Sequence, residues 1–219
     1  MELMVREKGF LIKTLTAYEE MEQGYRLRHE VFSEELRWAP ISGDQMEVDC
    51  YDSFASGLGV FDKEQKLLGY TRFITSPRPF MIDKEFACLT TGKERIKKSQ
   101  DMAEITRLCV RKQGRKADYI LRVSNLLYKG IYHWSLKMGI RHLVMVVDKR
   151  YYRLLRLTGI PVKMVGRFIV MPDSVQAAVI RLDLDEFREV AIYKSPEFYY
   201  WVTTEPGRSP SQELSHAPC

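Results

Sequence analysis

The alternation of hydrophobic and polar positions divides the chain into helical and strand-like segments. Apolar residues recur every three to four positions across residues 18–36 and 118–138, which predicts two amphipathic helices. A basic, aromatic segment at 150–157 and a short segment at 185–191 predict two further helices. Shorter apolar or alternating runs predict β-strands at residues 9–14, 56–61, 67–75, 101–110, 142–147, 162–171 and 175–182.

The order of these elements predicts the fold class. Hairpin-like strand pairs lie near both ends of the chain, and helices flank them without a regular strand–helix alternation. This order is typical of an α+β domain with a mixed sheet rather than of a doubly wound parallel sheet. We expect residues 1–204 to form one domain around one core. Residues 205–219 are rich in Pro, Ser and Gly and are expected to form a disordered tail.

The composition argues against several classes of function. The net charge of +5 is too small to indicate nucleic-acid binding, although it suits an acidic or phosphorylated partner. No apolar run is long enough to span a membrane, and residues 1–15 lack the continuous apolar core of a signal peptide. The four cysteines have no metal-binding spacing, so we expect no metal, no cofactor and a cytoplasmic location.

Charged residues in an apolar strand are the first candidates for a functional site. The run 101–110 contains Glu104 and Arg107, and buried charges are costly unless they are paired. Residues three apart on a regular strand point to opposite faces, so a shared cavity would require a β-bulge. This segment alone fits a structural ion pair and an active-site pair equally well.

Two more arginines and two more acids extend this set. Arg28 lies on the apolar face of the first helix, and Arg72 lies on the inward face of strand 67–75. Asp49 and Asp52 lie in the loop 38–52. With Glu104, these two acids could balance three arginines in a partly buried cluster. Such an ion-pair network can be purely structural, and it can also perturb groups that do chemistry.

Aromatic residues beside the same loop favour a ligand-binding site. Phe32 and Trp38 flank the end of the first predicted helix, where a structural network does not need them. Rings beside paired charges suit a ligand that has a flat ring and a zwitterionic end. The four histidines have neither metal-ligand spacing nor a nucleophile arrangement, so structural roles are favoured for them.

A basic turn before the second long helix is a candidate phosphate site. Arg111, Gly114 and Lys116 lie where backbone N–H groups at a glycine turn and nearby cations can bind phosphate. Arg111 and Gly114 match the pyrophosphate loop of acetyl-CoA-type acyltransferases, R/Q-x-x-G-x-G/A, whereas Lys116 does not. A solvated basic turn explains the spacing about equally well.

An ordered set of motifs resembles the acyl-homoserine-lactone synthases, the autoinducer synthases of bacterial quorum sensing. The family motifs are R-x-x-x-F, a tryptophan, D-x-x-D, G-x-x-R-(L/F), a lone phenylalanine and E-x-(S/T)-R. In chain order, the matching residues are Arg28, Phe32, Trp38, Asp49, Asp52, Gly69, Arg72, Phe73, Phe86, Glu104, Thr106 and Arg107. Each motif alone is weak, but the ordered set is specific.

The resemblance implies a GNAT-like acyltransferase fold, a three-layer α-β-α sandwich. It implies that S-adenosyl-L-methionine reacts with an acyl thioester, carried by acyl carrier protein or coenzyme A, and that methylthioadenosine is released. Glu104 is then the first candidate for the base that takes the amine proton, and Asp49 the second. The implied catalytic residues are Glu104, Arg107 and Asp49, and the implied substrate-binding residues are Arg28, Phe32, Trp38, Asp52, Arg72 and Phe86. The arginines would hold the methionine carboxylate, the first two aromatics the adenosine, and Phe86 the acyl-transfer site.

The acyl chain is expected to enter the core between strands 101–110 and 142–147. The expected lining residues are Ile105, Val146 and Leu154, for which ordinary core packing is the alternative. Residues 143–148 lack the threonine typical of members that prefer 3-oxo chains. The helix 150–157 has a basic face that could dock an acidic carrier protein. Its arginines are Arg150, Arg153 and Arg156.

Three other functions remain open. An N-acyl amino acid synthase of the same fold would stop after acylation, and a generic acyl-CoA N-acyltransferase would use another amine. A non-catalytic binding domain on the same scaffold belongs to a different class. The presence of Phe32 and Trp38 favours the lactone synthase, and the presence of Arg28, Arg72 and Glu104 argues against a non-catalytic domain.

Overall fold

The structure, a computed structural model, describes residues 2–90, 95–112 and 116–205 and contains one mixed β-sheet. Its strands are β1 Met4–Glu7, β2 Phe10–Thr14, β3 Ser56–Phe61, β4 Leu67–Thr75, β5 Met102–Val110, β6 His142–Asp148, β7 Lys163–Val170 and β8 Gln176–Asp183. They lie in the order β1-β2-β3-β4-β5-β6-β8-β7. Only the β5–β6 pair among these strands is parallel, which confirms the predicted mixed sheet.

Helices cover both faces of the sheet. The α-helices are α1 Tyr18–Arg28, α2 Ala117–Lys137, α3 Lys149–Leu157, α4 Leu184–Lys194 and α5 Pro196–Thr203. On β4, which is buried along almost its whole length, successive side chains serve opposite faces. Leu67 packs in the core under α1, whereas Leu68 packs in the core under α2. The layers are therefore α-β-α.

The helix predicted at residues 18–36 changes its geometry at Arg28. An α-helix extends to Arg28, and a π-helical segment, His29–Glu35, follows it. A π-helical turn is wider than an α-helical turn and often marks a functional site. Phe32 lies in this π-helical segment and lines the cavity at the candidate site.

The sequence pattern does not predict two short elements, β1 and α5. The strand β1, with the sequence MVRE, alternates exposed and buried positions over only four residues, which is too short for a periodic signal. The helix α5 packs against α2 and α4, and its tertiary contacts stabilise it more than its own weak amphipathic pattern. Gly114 and most of the predicted tail, residues 206–219, lie outside the described residues.

Two strands part at the centre of the sheet. Residues Met102–Ile105 of β5 pair with His142–Met145 of β6, and beyond this point each strand pairs only with its other neighbour. Parallel strands that separate leave backbone groups and side chains free to line a cleft. In this molecule the opening lies at the middle of the sheet, and the predicted acyl-chain path coincides with it.

Candidate active site

Glu104 is a buried carboxylate on β5 at the mouth of this opening. It is 1% exposed and accepts hydrogen bonds from the backbone N–H groups of Met81, at 2.6 Å, and Ile82, at 3.1 Å. Burial raises the pKa of Glu104 to about 7, against the lowering effect of these two N–H donors. A carboxylate that titrates near neutrality can take up a proton in a reaction and release it afterwards.

A closed ion-pair network lies beside Glu104. Its members are Arg28, Arg72, Arg107, Glu47, Asp49 and Asp52. Arg28 donates to Glu47 at 2.5 Å and to Asp52 at 2.7 Å, and Arg72 donates to Asp49 at 2.6 Å and to Asp52 at 2.7 Å. Burial opposes charge on Glu47 and Asp52, yet the arginines hold the pKa of both carboxyls below the ordinary value.

Arg107 completes this network through a β-bulge. Arg72 pairs with Thr106 where a regular register would pair it with Arg107, so β5 carries one extra residue. Arg107 itself has φ +55°, and its side chain donates to Glu47 at 2.8 Å and to Asp49 at 3.0 Å. The bulge brings Arg107 to the same side of the sheet as Glu104, as the sequence analysis required for a shared cavity.

Glu47, rather than Glu104, is the third acid of the network. The sequence analysis paired Glu104 with the arginines, but the backbone N–H groups of Met81 and Ile82 satisfy its oxygens instead. Glu47 is 7% exposed and accepts from two arginines. It lies two residues before Asp49 in a loop of many polar residues, so its sequence carries no signal that separates it from a solvated glutamate.

Only one arginine of the network reaches the cavity in front of Glu104. Arg28 and Arg72 have no exposed surface, and their guanidinium groups are occupied by carboxylates. Arg107 keeps 18% of its side chain exposed and lines the cavity. The sequence predicts that all three arginines hold a substrate carboxylate. This prediction is wrong for Arg28 and Arg72, because both are buried and already bound to carboxylates of the protein.

The cavity in front of Glu104, called the polar cavity below, has a volume of about 380 Å³. Phe32, Trp38 and Phe86 line it, so the structure brings the three predicted aromatics together. The rings of Phe32 and Trp38 lie 6.4 Å apart, and the guanidinium carbon of Arg107 lies 5.5 Å from the Phe32 ring. The cavity thus combines aromatic faces, a cation and a carboxylate that titrates near neutrality.

Three further charged residues line the polar cavity without any sequence signal. They are Arg37, Asp148 and Asp173. Arg37 has φ +58° and follows the π-helical segment, while Asp148 accepts from the first N–H groups of α3. Asp148 is the last residue of β6, and Asp173 lies in the turn between β7 and β8. The three residues are far apart in the sequence, and the sheet topology brings them around one cavity.

A second, narrow cavity lies across the opening and is lined almost wholly by apolar side chains. Ile105 lines both cavities, and Val146 lines the polar cavity, so these two predicted acyl-pocket residues lie at the opening. Leu154 is 43% exposed and lines neither cavity, so its assignment is wrong. Because α3 begins at Lys149, Leu155 rather than Leu154 lies on its inward face. Leu155 is 4% exposed and lines the apolar cavity.

The described residues predicted to bind phosphate or a carrier protein lie at or near the surface. Arg111 forms an ion pair with Glu30 and donates to the carbonyl of Leu67, so its guanidinium contacts the body of the protein. Lys116 is exposed at the start of α2. Arg150, Arg153 and Arg156 are exposed on α3 and give this helix the predicted basic face.

Across residues 2–90, 95–112 and 116–205, no group of histidine, cysteine, aspartate or glutamate side chains could hold a metal ion. In the same residues, no helix has the length and apolar character that crossing a membrane requires.

Comparison with known proteins identifies the family. The family described as autoinducer synthase matches residues 13–192. The acyl-homoserine-lactone synthase of Aeromonas hydrophila is 30% identical over 165 residues, which cover 74% of this chain and 79% of that protein. The synthase of Rhizobium radiobacter is 29% identical over 164 residues, which cover 72% of this chain and 76% of that protein.

A solved structure agrees in fold. The AHL synthase LasI superposes with a TM-score of 0.75 at 19% identity and covers 85% of this chain and 95% of its own. The two chains therefore share one fold. The chain belongs to the autoinducer synthase family.

Proposed function

We propose that this protein is an acyl-homoserine-lactone synthase that joins S-adenosyl-L-methionine to an acyl thioester and releases methylthioadenosine. The observation that carries the proposal is Glu104, a carboxylate with a pKa of about 7 that lines the aromatic, charged cavity next to Ile105, the residue that lines both this cavity and the apolar one. The two cavities suit the two substrates. A related structure of BjaI, a CoA-dependent acyl-homoserine lactone synthase, is described with SAM and isopentyl-CoA.

The first step forms an amide bond. The amine of S-adenosylmethionine is an ammonium ion in water and must lose a proton before it can attack the thioester carbonyl. Glu104 takes this proton, directly or through one water molecule, and the thiolate of the donor leaves. Asp49, the second candidate base, accepts from Arg72 on one oxygen and from Arg72 and Arg107 on the other. Because guanidinium groups occupy both oxygens of Asp49, Glu104 remains the first candidate for the base.

The second step closes the lactone. A carboxylate oxygen of the methionine moiety attacks the carbon next to the sulfonium, the carbon–sulfur bond breaks, and methylthioadenosine leaves with the electron pair. The sulfonium is a leaving group by itself, so this step depends on the orientation of the attacking carboxylate more than on its activation. Arg107 orients this carboxylate, because it is the arginine of the network with exposed surface in the polar cavity.

The remaining cavity residues hold the two substrates in place. Phe32 and Trp38 pack on the adenosine, and Phe86 forms the wall where the thioester carbonyl meets the amine. The acyl chain passes Ile105 and Val146 into the opening between β5 and β6. Asp52 acts through Arg28 and Arg72, since its oxygens face these two arginines.

The acyl donor is carried by acyl carrier protein or by coenzyme A. The exposed arginines of α3 suit an acidic carrier protein, whose approach their charge would steer. The phosphates of coenzyme A would instead bind near Lys116 at the N-terminus of α2. We expect the reaction to take place in the cytoplasm, where both substrates are made.

Mass spectrometry tests the reaction. The chain is expressed in a bacterial host without a lactone synthase, and extracts and spent medium are compared with those of an empty vector. We expect a new species that yields the homoserine-lactone fragment ion and whose parent mass identifies the acyl group. An acylated amino acid without lactone would instead show an enzyme that stops after the first step.

A further inference from the structure

The turn that holds Glu104 is built from residues outside the family motifs. A 3-10 turn, Met81–Asp83, presents two consecutive backbone N–H groups to the Glu104 carboxylate. The first N–H groups of a helical turn have no partner within the turn and therefore point outward together. Met81 and Ile82 are themselves buried, with 5% and 1% of their surface exposed.

Asp83 closes this turn from its outer side. Its Oδ2 accepts from the N–H of Phe80 at 2.9 Å, and its own N–H donates to the Phe80 carbonyl at 3.2 Å. Lys98 forms an ion pair with Asp83, donates to the carbonyl of Arg78 at 3.0 Å and lies 4.1 Å from the centre of the Phe80 ring. On the side away from Glu104, the turn is thus held by the carboxylate of Asp83, which forms an ion pair with Lys98.

Asp83 acts on Glu104 in two opposite ways. Its negative charge raises the pKa of Glu104, whereas the backbone N–H groups that it keeps in place lower that pKa. The other ionisable side chains that lie near Glu104 or line the same cavity come from β4, β5, the 3-10 turn Cys50–Ser53, the residues after the π-helical segment, the end of β6 and the β7–β8 turn. They are Arg72, Arg107, Tyr51, Arg37, Asp148 and Asp173. None of them touches the N–H groups of Met81 and Ile82.

We propose that Asp83 is a positioning residue that holds the two backbone donors in line with the Glu104 carboxylate, and so fixes the direction in which this base faces the substrate amine. The inference rests on the proposed function, because Glu104 is the base in that reaction. Asp83 lies behind the turn and lines neither the polar nor the apolar cavity. No family motif includes it, and nothing in its sequence context separates it from other exposed aspartates.

Two substitutions separate the charge of Asp83 from its hydrogen bond. Asp83→Asn keeps an oxygen for the Phe80 N–H and removes the charge, whereas Asp83→Ala removes both. Asp62→Ala is the matched control, because Asp62 also accepts backbone N–H groups of a turn, at the far end of β4. The readouts are kcat/KM from pH 5.5 to 9 and the carboxyl titration of Glu104 by ¹³C NMR, assigned with Glu104→Gln.

The proposal predicts different pH profiles for the two variants. Asp83→Asn should keep the rate at high pH and move the acidic limb of the profile to lower pH, with about twofold more activity at pH 6. Asp83→Ala should lose about tenfold in the rate at high pH, because the base is no longer held in line. Its acidic limb should lie above that of Asp83→Asn, and Asp62→Ala should match the wild type.

Two results would overturn the proposal. Identical rates and titrations for Asp83→Asn and Asp83→Ala would show that the hydrogen bond to Phe80 does not act on Glu104. An Asp83→Asn variant that loses the rate at high pH would contradict it as well, even if the alanine variant failed to fold. The NMR titration needs no turnover, so a failure of the proposed reaction would leave the test of positioning intact.

Discussion

Charged Glu104 should destabilise the folded protein, and the size of this effect follows from its environment. Its pKa rises from an ordinary 4.5 to about 7 in the folded chain. Each pKa unit corresponds to about 1.4 kcal/mol, so ionisation of Glu104 lowers the free energy of unfolding by about 3 kcal/mol. Between these two pKa values the folded state binds more protons than the unfolded state, and stability therefore falls as the pH rises.

Urea unfolding of the wild type and of Glu104→Gln measures this effect. Glutamine keeps the shape of the side chain but does not titrate, and other groups contribute equally to both proteins. The glutamine side chain also loses one acceptor, which shifts its stability by a constant that does not vary with pH. We expect the stability of the wild type, relative to the variant, to fall by about 3 kcal/mol between pH 4.5 and pH 8.

A flat difference between the two proteins over this pH range would refute the reasoning. It would mean that the pKa of Glu104 is the same in the folded and unfolded chains. The role of Glu104 as a base near neutral pH would then lose its physical basis, even if the variant were inactive.

Four other tests address the remaining parts of the account. Arg72→Met should lower the free energy of unfolding by about 3–5 kcal/mol in urea titrations, because it leaves Glu47, Asp49 and Asp52 with only two guanidinium groups to balance three carboxylates; a loss under 1 kcal/mol would contradict a closed network. Leu155→Ala should cost about 2–5 kcal/mol and shift the preferred acyl length, whereas Leu154→Ala should stay within about 0.5 kcal/mol, and the reverse order would contradict the assignment of the inward face. Trp38→Ala should raise the KM for S-adenosylmethionine about tenfold without a change in Tm, because a half-exposed ring mainly contributes stacking; an unchanged KM would remove Trp38 from the adenosine site. Replacing the three exposed arginines of α3 by glutamine should lower kcat/KM for an acyl carrier protein donor at low salt and spare a pantetheine thioester, and equal losses for both donors would contradict docking on this helix.

The motifs of the sequence locate the candidate site, because the chemistry depends on residue types in a fixed order. The bulge in β5 is also predictable, since Glu104 and Arg107 can share a cavity only if the strand carries one extra residue. Long periodic segments such as α2 are predicted well because their apolar faces repeat over many turns.

The rest of the site depends on tertiary structure. Glu47 and Arg37 enter the site because a loop and a helix end fold over β5, and no local pattern reports such an arrangement. The error between Leu154 and Leu155 arises because the inward face of a short helix depends on where the helix begins. The backbone partners of Glu104 come from a turn about twenty residues earlier, which hydrophobic periodicity does not describe.

The central claim is that one site, with Glu104 as the base, forms the amide and then closes the lactone. The most direct test incubates the purified protein with S-adenosylmethionine and a panel of acyl-carrier-protein and coenzyme A thioesters. Liquid chromatography with mass spectrometry then quantifies acyl-homoserine lactone and methylthioadenosine in parallel with Glu104→Gln. The account predicts equimolar lactone and methylthioadenosine from the wild type and neither product from the folded variant. Acylated product without methylthioadenosine, or wild-type turnover by Glu104→Gln, would contradict it.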